Sequence, residues 1–261
     1  MNIENLESCE NNELVNSTKP LIYMKGIDKW FGHVHALDNV DLSIYENEIV
    51  ALVGDNGAGK STLIKILSGL IKADQGEIYF KDKLINIQNS RDARNLGIGT
   101  VYQDLALVDC LDVSANLFLG KELVRGGIFT NRDKMEREAK KILERLQIKI
   151  KSPKITAGYL SGGQRQAIAI GRVILEDSKV FVLDEPTAAL GVRETGEVLN
   201  LIKDLKASGR TIIIISHQLE EVFSLVDRIL VLRQGKKVGE RLVSKTTKEE
   251  IIGMITGIIR A

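Results

Sequence analysis

Cysteine is almost absent from this chain. The two that occur, Cys9 and Cys110, are far apart and form neither a metal-ligand nor a redox spacing. A disulfide framework is thereby excluded, and a reducing, cytosolic compartment is expected. Aromatic residues are scarce at 5%, which argues against a platform for stacking nucleic acid bases. Neither sign of charge dominates, since 36 Lys and Arg stand against 35 Asp and Glu. With no basic block there is no electrostatic footprint for nucleic acid. Long apolar runs are missing as well. The longest aliphatic stretches, such as Ile212 to Ile215, are too short to cross a bilayer. The polar, acidic first twenty residues carry no signal-peptide pattern. Work at a membrane is therefore expected to need a separate membrane chain. Length is not lacking: 261 residues suffice for one large core, or a core with a smaller part attached.

One stretch organises the rest. Gly54-Asp55-Asn56-Gly57-Ala58-Gly59-Lys60-Ser61, followed by Thr62, comes after an apolar run, Ile49 to Val53, and opens a helical pattern from Leu63 to Leu70. Strand, glycine loop, Lys-Ser and helix together are the context of a phosphate-binding loop. Glycines let successive backbone N–H groups turn inward around phosphate oxygens, and the helix beginning near Lys60 adds its positive dipole end. Lys60 is expected to reach the β- and γ-phosphates, and the Ser61 hydroxyl to ligate Mg²⁺.

Around that loop the chain reads in order. Residues 1–20, rich in Asn, Glu and Ser, are expected to form a flexible arm. Leu21 to Met24 and Ala36 to Ile44 read as strands of an antiparallel sheet. Between them, Trp30 or Phe31 offers a ring to an adenine face, or packs an edge strand. Gly76 to Phe80 reads as a strand, Ser90 to Leu96 as a short helix and Ile98 to Tyr102 as a buried strand. That last strand ends at Gln103, where ligands bind in open α/β sheets. Helix signals dominate from Leu111 to Ile150, with Asp112 as a cap and an amphipathic helix from Asn131 to Leu146.

Leu160-Ser161-Gly162-Gly163-Gln164 then opens a helix running to about Leu175. Ser161 is a plausible N-cap, and the glycines beside a second helix start make a second anion-binding feature. Two such features imply two ligands, or one ligand shared between subunits. The apolar strand Lys179 to Leu183 delivers Asp184 and Glu185 at its carboxyl end. Downstream of a phosphate loop, Asp184 is expected in the metal shell and Glu185 as general base toward water. Gly191 to Ala207 reads as a helix. Strand Thr211 to Ile215 ends at Ser216-His217, and His217 is a candidate hydrogen-bond donor to the γ-phosphate or to water. Arg228 to Arg233 and Lys236 to Gly239 form a hairpin pattern, and Thr247 to Ile259 a closing helix.

In this order the motifs resemble an ATP-binding cassette, the ATPase subunit of an ABC transporter, from Leu21 onward. The resemblance implies a P-loop NTPase of the α/β class over residues 21–261. It has a RecA-like core, an N-terminal antiparallel β subdomain and an α-helical subdomain at about residues 103–172. It selects Phe31, just before Gly32, for adenine contact. It implies Gln103 beside Ser61 and Asp184 at Mg²⁺, and Ser161, Gly162, Gly163 and Gln164 on ATP held by a second cassette copy. Pro186 to Glu194, with Gly54-Asp55-Asn56, resembles more finely bacterial importers of the ribose, galactose and fructose type. Gly191 stands where most cassettes carry Asp, so the cross-subunit contact of that Asp is not carried over.

The resemblance further implies separate transmembrane permease subunits, an indirect periplasmic or extracellular sugar-binding protein, and a place at the cytoplasmic face of the membrane. No nucleic acid partner is expected. A cassette ATPase of another transporter type, or a soluble nucleic-acid- or ribosome-associated one, is the alternative. The interval from Lys60 to Ser161 lacks the sustained heptads of repair-type members. A poorly catalytic regulatory subunit is a third reading, opposed by intact Glu185, His217 and Leu160 to Gln164.

Overall fold

The computed structural model describes residues 19–126, 129–146 and 148–259. The arm expected over residues 1–20 lies outside them except for Lys19 and Pro20. In chain order the first elements are β1 (Ile22–Phe31), β2 (Val34–Ile44), β3 (Ile49–Val53), α1 (Lys60–Leu67), β4 (Gln75–Phe80) and β5 (Lys83–Ile85). Next come α2 (Ser90–Asn95), β6 (Ile98–Val101), α3 (Val113–Leu117), β7 (Val124–Arg125), β8 (Phe129–Thr130), α4 (Arg132–Arg145) and α5 (Gly162–Leu175). The chain closes with β9 (Val180–Asp184), α6 (Val192–Ala207), β10 (Thr211–Ile215), α7 (Leu219–Leu225), β11 (Arg228–Arg233), β12 (Lys236–Leu242) and α8 (Lys248–Thr256).

Two sheets carry the fold. The larger has strand order β12-β11-β3-β10-β9-β6. It is parallel except for β12, which pairs antiparallel with β11. Its central strands are apolar on both faces, as a covered parallel sheet requires. Along β3, Val50 and Leu52 enter one core, and Ile49, Ala51 and Val53 enter the other. β10 alternates in the same way, with Ile213 and Ile215 on one side and Ile212 and Ile214 on the other. The first core is closed by α1 and the smaller antiparallel sheet, β2-β1-β4-β5. The second is closed by α5, α6, α7 and α8. A third cluster, with Val113, Leu117, Met135, Ala139 and Leu143, joins α3 and α4 to Ile168 of α5. The architecture is thus an α/β core with an antiparallel β part and a helical part.

Several elements differ from the sequence reading. The first strand does not stop at Met24 but continues through bulges to Phe31, so Trp30 and Phe31 sit in β1 rather than between strands. β5, α7 and the β7–β8 pair, which interrupts the expected helical stretch, were unsignalled by periodicity. α1 ends at Leu67 rather than Leu70, with Gly69 at φ 72° just beyond it. α8 ends at Thr256 instead of Ile259, because Gly257 at φ 81° takes the left-handed cap.

Candidate functional site

Strand register gathers the candidates. Ile215 pairs with both Leu52 and Asp184, and Leu183 pairs with Val101. The carboxyl ends of β3, β10, β9 and β6 therefore form one edge of the sheet. Gly54, Ser216-His217, Asp184-Glu185 and, two residues past β6, Gln103 all leave from that edge.

At β3 the chain turns sharply into the glycine loop. Gly54 has φ 148°, and a Cβ there would lie 2.1 Å from the Leu232 carbonyl oxygen of β11. Gly59, at φ 102°, is the N-cap of α1 and would strike Leu37 and the Ala36 carbonyl. At these two positions glycine is demanded by neighbouring backbone as well as by loop curvature. Asp55, Asn56, Gly57 and Ser61 are exposed, Ala58 is buried and Thr62 is half-buried. The first intrahelical bond runs from the Leu63 N–H to Gly59 oxygen, so the N–H groups of Lys60, Ser61 and Thr62 have no intrahelical partner.

Lys60 is 8% exposed, and its ammonium donates to Gly54 oxygen at 2.6 Å and Asp55 oxygen at 2.9 Å. Burial pushes its pKa down, against the pull of Glu185, Asp55 and Asp184. Asp184 is displaced in the opposite direction. Burial raises its pKa first and the Glu185 carboxylate second, with Lys65 and Lys60 opposing. A buried ammonium held only by carbonyl oxygens and a half-buried carboxylate beside another carboxylate both gain from added counter-charge. That donor set fits a polyanion together with a divalent cation.

Glu185 follows β9 at φ 50°, and its N–H donates to Ile215 oxygen at 2.9 Å. Its Oε2 lies 2.9 Å from Nδ1 of His217, which is mostly exposed. Two residues that are 32 positions apart are thus in contact at the ends of adjacent strands. Gln103 is exposed in the loop after β6, at the same sheet edge.

Phe31 ends β1 half-exposed, with Lys29 Nζ 5.5 Å from its ring centroid. The Trp30 ring is already engaged, stacked on the imidazole of His35 at 4.2 Å and 6°. Of the two aromatic candidates, Phe31 has the less committed face.

Ser161 caps α5 through a capping box. Its Oγ accepts from the Gln164 N–H, and Gln164 Oε1 accepts from the Ser161 N–H. The Gln164 amide nitrogen also donates to Lys149 oxygen at 2.7 Å. Ser161 is exposed and Gly162 half-buried, but Gly163 is buried. A Cβ on Gly163 would stand 3.0 Å from Cβ of Glu194, in the first turn of α6. The Glu194 carboxylate is held below the usual range by the Ser161 hydroxyl, then by the Gly191 N–H and the Gly163 N–H. Sequence reasoning missed Glu194. A Glu three residues after a cap position is the available signal, but it announces a helix start and not a neighbour in α5.

The ABC transporter family profile matches residues 37–188. A xylose/arabinose import ATP-binding protein of Sulfolobus acidocaldarius is 45% identical over 236 residues, covering 90% of this chain and 94% of that protein. A ribose import ATP-binding protein of Caldanaerobacter subterraneus subsp. tengcongensis is 42% identical over 239 residues, covering 92% of this chain and 48% of that protein. The chain thus spans about half the length of the ribose-type relative and nearly all of the xylose/arabinose one. Among solved structures, the ADP conformation of an ATP-binding cassette of an ABC transporter superposes with a TM-score of 0.78 at 31% identity, covering 92% of this chain and 96% of that one. A dimeric post-hydrolysis cassette bound to ADP and phosphate gives 0.72 at 27% identity, covering 85% and 98%.

Proposed function

Because the chain belongs to the ABC transporter family, we propose that it is the ATP-binding and ATP-hydrolysing subunit of an importer for a small sugar. Separate permease subunits supply the path across the membrane, a reading supported by the relatives' names as import ATP-binding proteins; no described helix is long and apolar enough to cross one. The chain then sits at the cytoplasmic face, and a sugar-binding protein acts indirectly from the other side. Sugar import draws support from the relatives' names. Hydrolysis draws support from one observation above all: Glu185 and His217 in contact at 2.9 Å on the sheet edge from which the Lys60 loop departs.

Phe31 takes the adenine ring. Residues Gly54 to Thr62 cradle the phosphates with backbone N–H groups, and Lys60 exchanges its carbonyl partners for phosphate oxygens. Ser61, Asp184 and Gln103 would hold Mg²⁺, which neutralises charge on the phosphate oxygens when bound. Glu185 accepts the proton of the attacking water, and His217 donates a hydrogen bond toward the transferred phosphate. Ser161, Gly162, Gly163 and Gln164 face nucleotide held by a second copy. A groove of about 280 Å³ beside β6 and α5, lined among others by Arg94, Tyr102, Asp104, Arg172 and Glu176, is the contact region for a permease.

Glu185→Gln tests the hydrolytic assignment. Turnover is expected to fall by at least about a hundredfold while ATP still binds. Near-normal turnover would remove Glu185 as the base.

A further inference from the structure

The segment that carries Glu185 is bent in an uncommon way. Glu185 and Ala189 both lie in the left-handed region, at φ 50° and 59°. Two turns close across them, from the Ala188 N–H to Glu185 oxygen and from the Leu190 N–H to Thr187 oxygen. Non-glycine residues in this region cost on the order of 1 kcal/mol or more each, and persist only where surrounding contacts hold them. Beyond the Glu185 N–H bond to Ile215, a side-chain tie holds the bend. Thr187, only 2% exposed, donates its hydroxyl to Glu221 Oε2 at 2.5 Å. A hydroxyl that donates to a carboxylate makes a charge-assisted bond, which is stronger than a neutral one.

Glu221 sits in the first turn of α7, four residues after His217. Thr187 is two residues after Glu185. The Glu185 turn and the His217 segment are therefore joined by two rungs: the outer one is Glu185–His217 and the inner one is Thr187–Glu221. His217 is 64% exposed at its side chain, so little packing orients the imidazole. Its placement depends on where α7 docks against the Glu185 turn.

We propose that Thr187 and Glu221 are positioning residues for hydrolysis, a part-buried hydroxyl–carboxylate tie that sets His217 against Glu185. The inference rests on the reading of Glu185 and His217 as the hydrolytic pair. Neither residue of the tie touches the reacting atoms.

The test measures ATPase rate, nucleotide affinity and melting temperature of the full chain. Thr187→Val keeps the shape and removes the donor. Its kcat is expected to fall about tenfold, with ATP affinity held within about twofold. Thr187→Ser restores most of the rate. Glu221→Ala, at a partly exposed site, reproduces the loss should the valine variant fold poorly. In a His217→Ala background, Thr187→Val lowers kcat by less than about twofold more, because the tie acts through His217. A full rate in both Thr187→Val and Glu221→Ala overturns the inference, as does a tenfold further loss in the His217→Ala background. Glu185→Gln separates the levels. If it hydrolyses normally, the underlying reading fails. If it is inactive while both tie variants run at full rate, only the tie fails.

Discussion

Phe31 and Trp30 are neighbours on one strand, yet their surroundings assign them different work. A cross-strand pairing sets Trp30 opposite His35, and the two rings stack. Removing Trp30 therefore costs packing within the β part. Phe31 has its ring half open, and Lys29 stands near its face. Stacking on a base contributes roughly 1–3 kcal/mol by alanine substitution. Phe31→Ala is accordingly expected to weaken ATP binding by about tenfold, with Trp30→Ala leaving affinity within about twofold. Titration with a fluorescent ATP analogue distinguishes them, and equal losses from both would sink the assignment of Phe31. Sequence order alone left this pair open, since both residues occupy one turn of the pattern. Lys60 was legible as the end of a glycine loop between a strand and a helix, and Asp184, Glu185 and His217 because each follows closely on the end of an apolar run; parallel pairing then aligns those strand ends. Thr187–Glu221 had no such signal: the partners are 34 residues apart and only tertiary packing unites them.

Among the elements, α5 joins the parts of the molecule. Its start carries the Ser161 cap, and Ile168 enters the helical cluster. Ala169, Ile170 and Val173 enter the second core, and Arg172 donates to Asn116 oxygen in α3 and to Ala106 oxygen in the loop after β6. Close approach of α5 to β6 is made possible by Gly99. A Cβ there would stand 2.2 Å from Cγ1 of Val173 and 2.5 Å from Oγ of Ser178. Gly99→Ala forces helix and strand apart, and overpacking of this kind costs about 1–3 kcal/mol. Denaturant unfolding is expected to show that loss, and a change below about 0.5 kcal/mol would show that the layer yields freely. The central strands were readable as unbroken apolar runs because both of their faces are buried in a core. β5 and the β7–β8 pair were not. They are two or three residues long and mostly exposed, so they carry no pattern of burial. The second half of β1 hid for another reason. Register shifts break its alternation between Met24 and Trp30, where Lys25, Asp28 and Lys29 intervene.

At the scale of the whole molecule, the two glycine-lined helix starts have different surroundings. The start of α1 is set in the sheet edge with Lys60, Asp184 and Glu185, whereas α5 begins against the first turn of α6. Around that second junction the surface is apolar and open: Val192 is 95% exposed and Tyr159 87% exposed. Exposed large apolar side chains at a helix junction suit a surface that meets another macromolecule. In the proposed function that macromolecule is a second copy, whose nucleotide lies between its own Lys60 loop and this Ser161 helix. Glu185→Gln should therefore sediment as a monomer without nucleotide and as a dimer with saturating Mg-ATP. Adding Val192→Asp places a charge where the two copies meet but disturbs no buried packing. It is expected to weaken the dimer by at least about tenfold, with nucleotide affinity and melting temperature of the monomer unchanged. If Glu185→Gln stays monomeric in Mg-ATP, both alone and with its permease, each cassette binds nucleotide by itself and the Ser161 helix needs another ligand. If the dimer forms and tolerates Val192→Asp, the copies meet elsewhere on the surface, and the exposed Val192–Tyr159 junction serves a different contact.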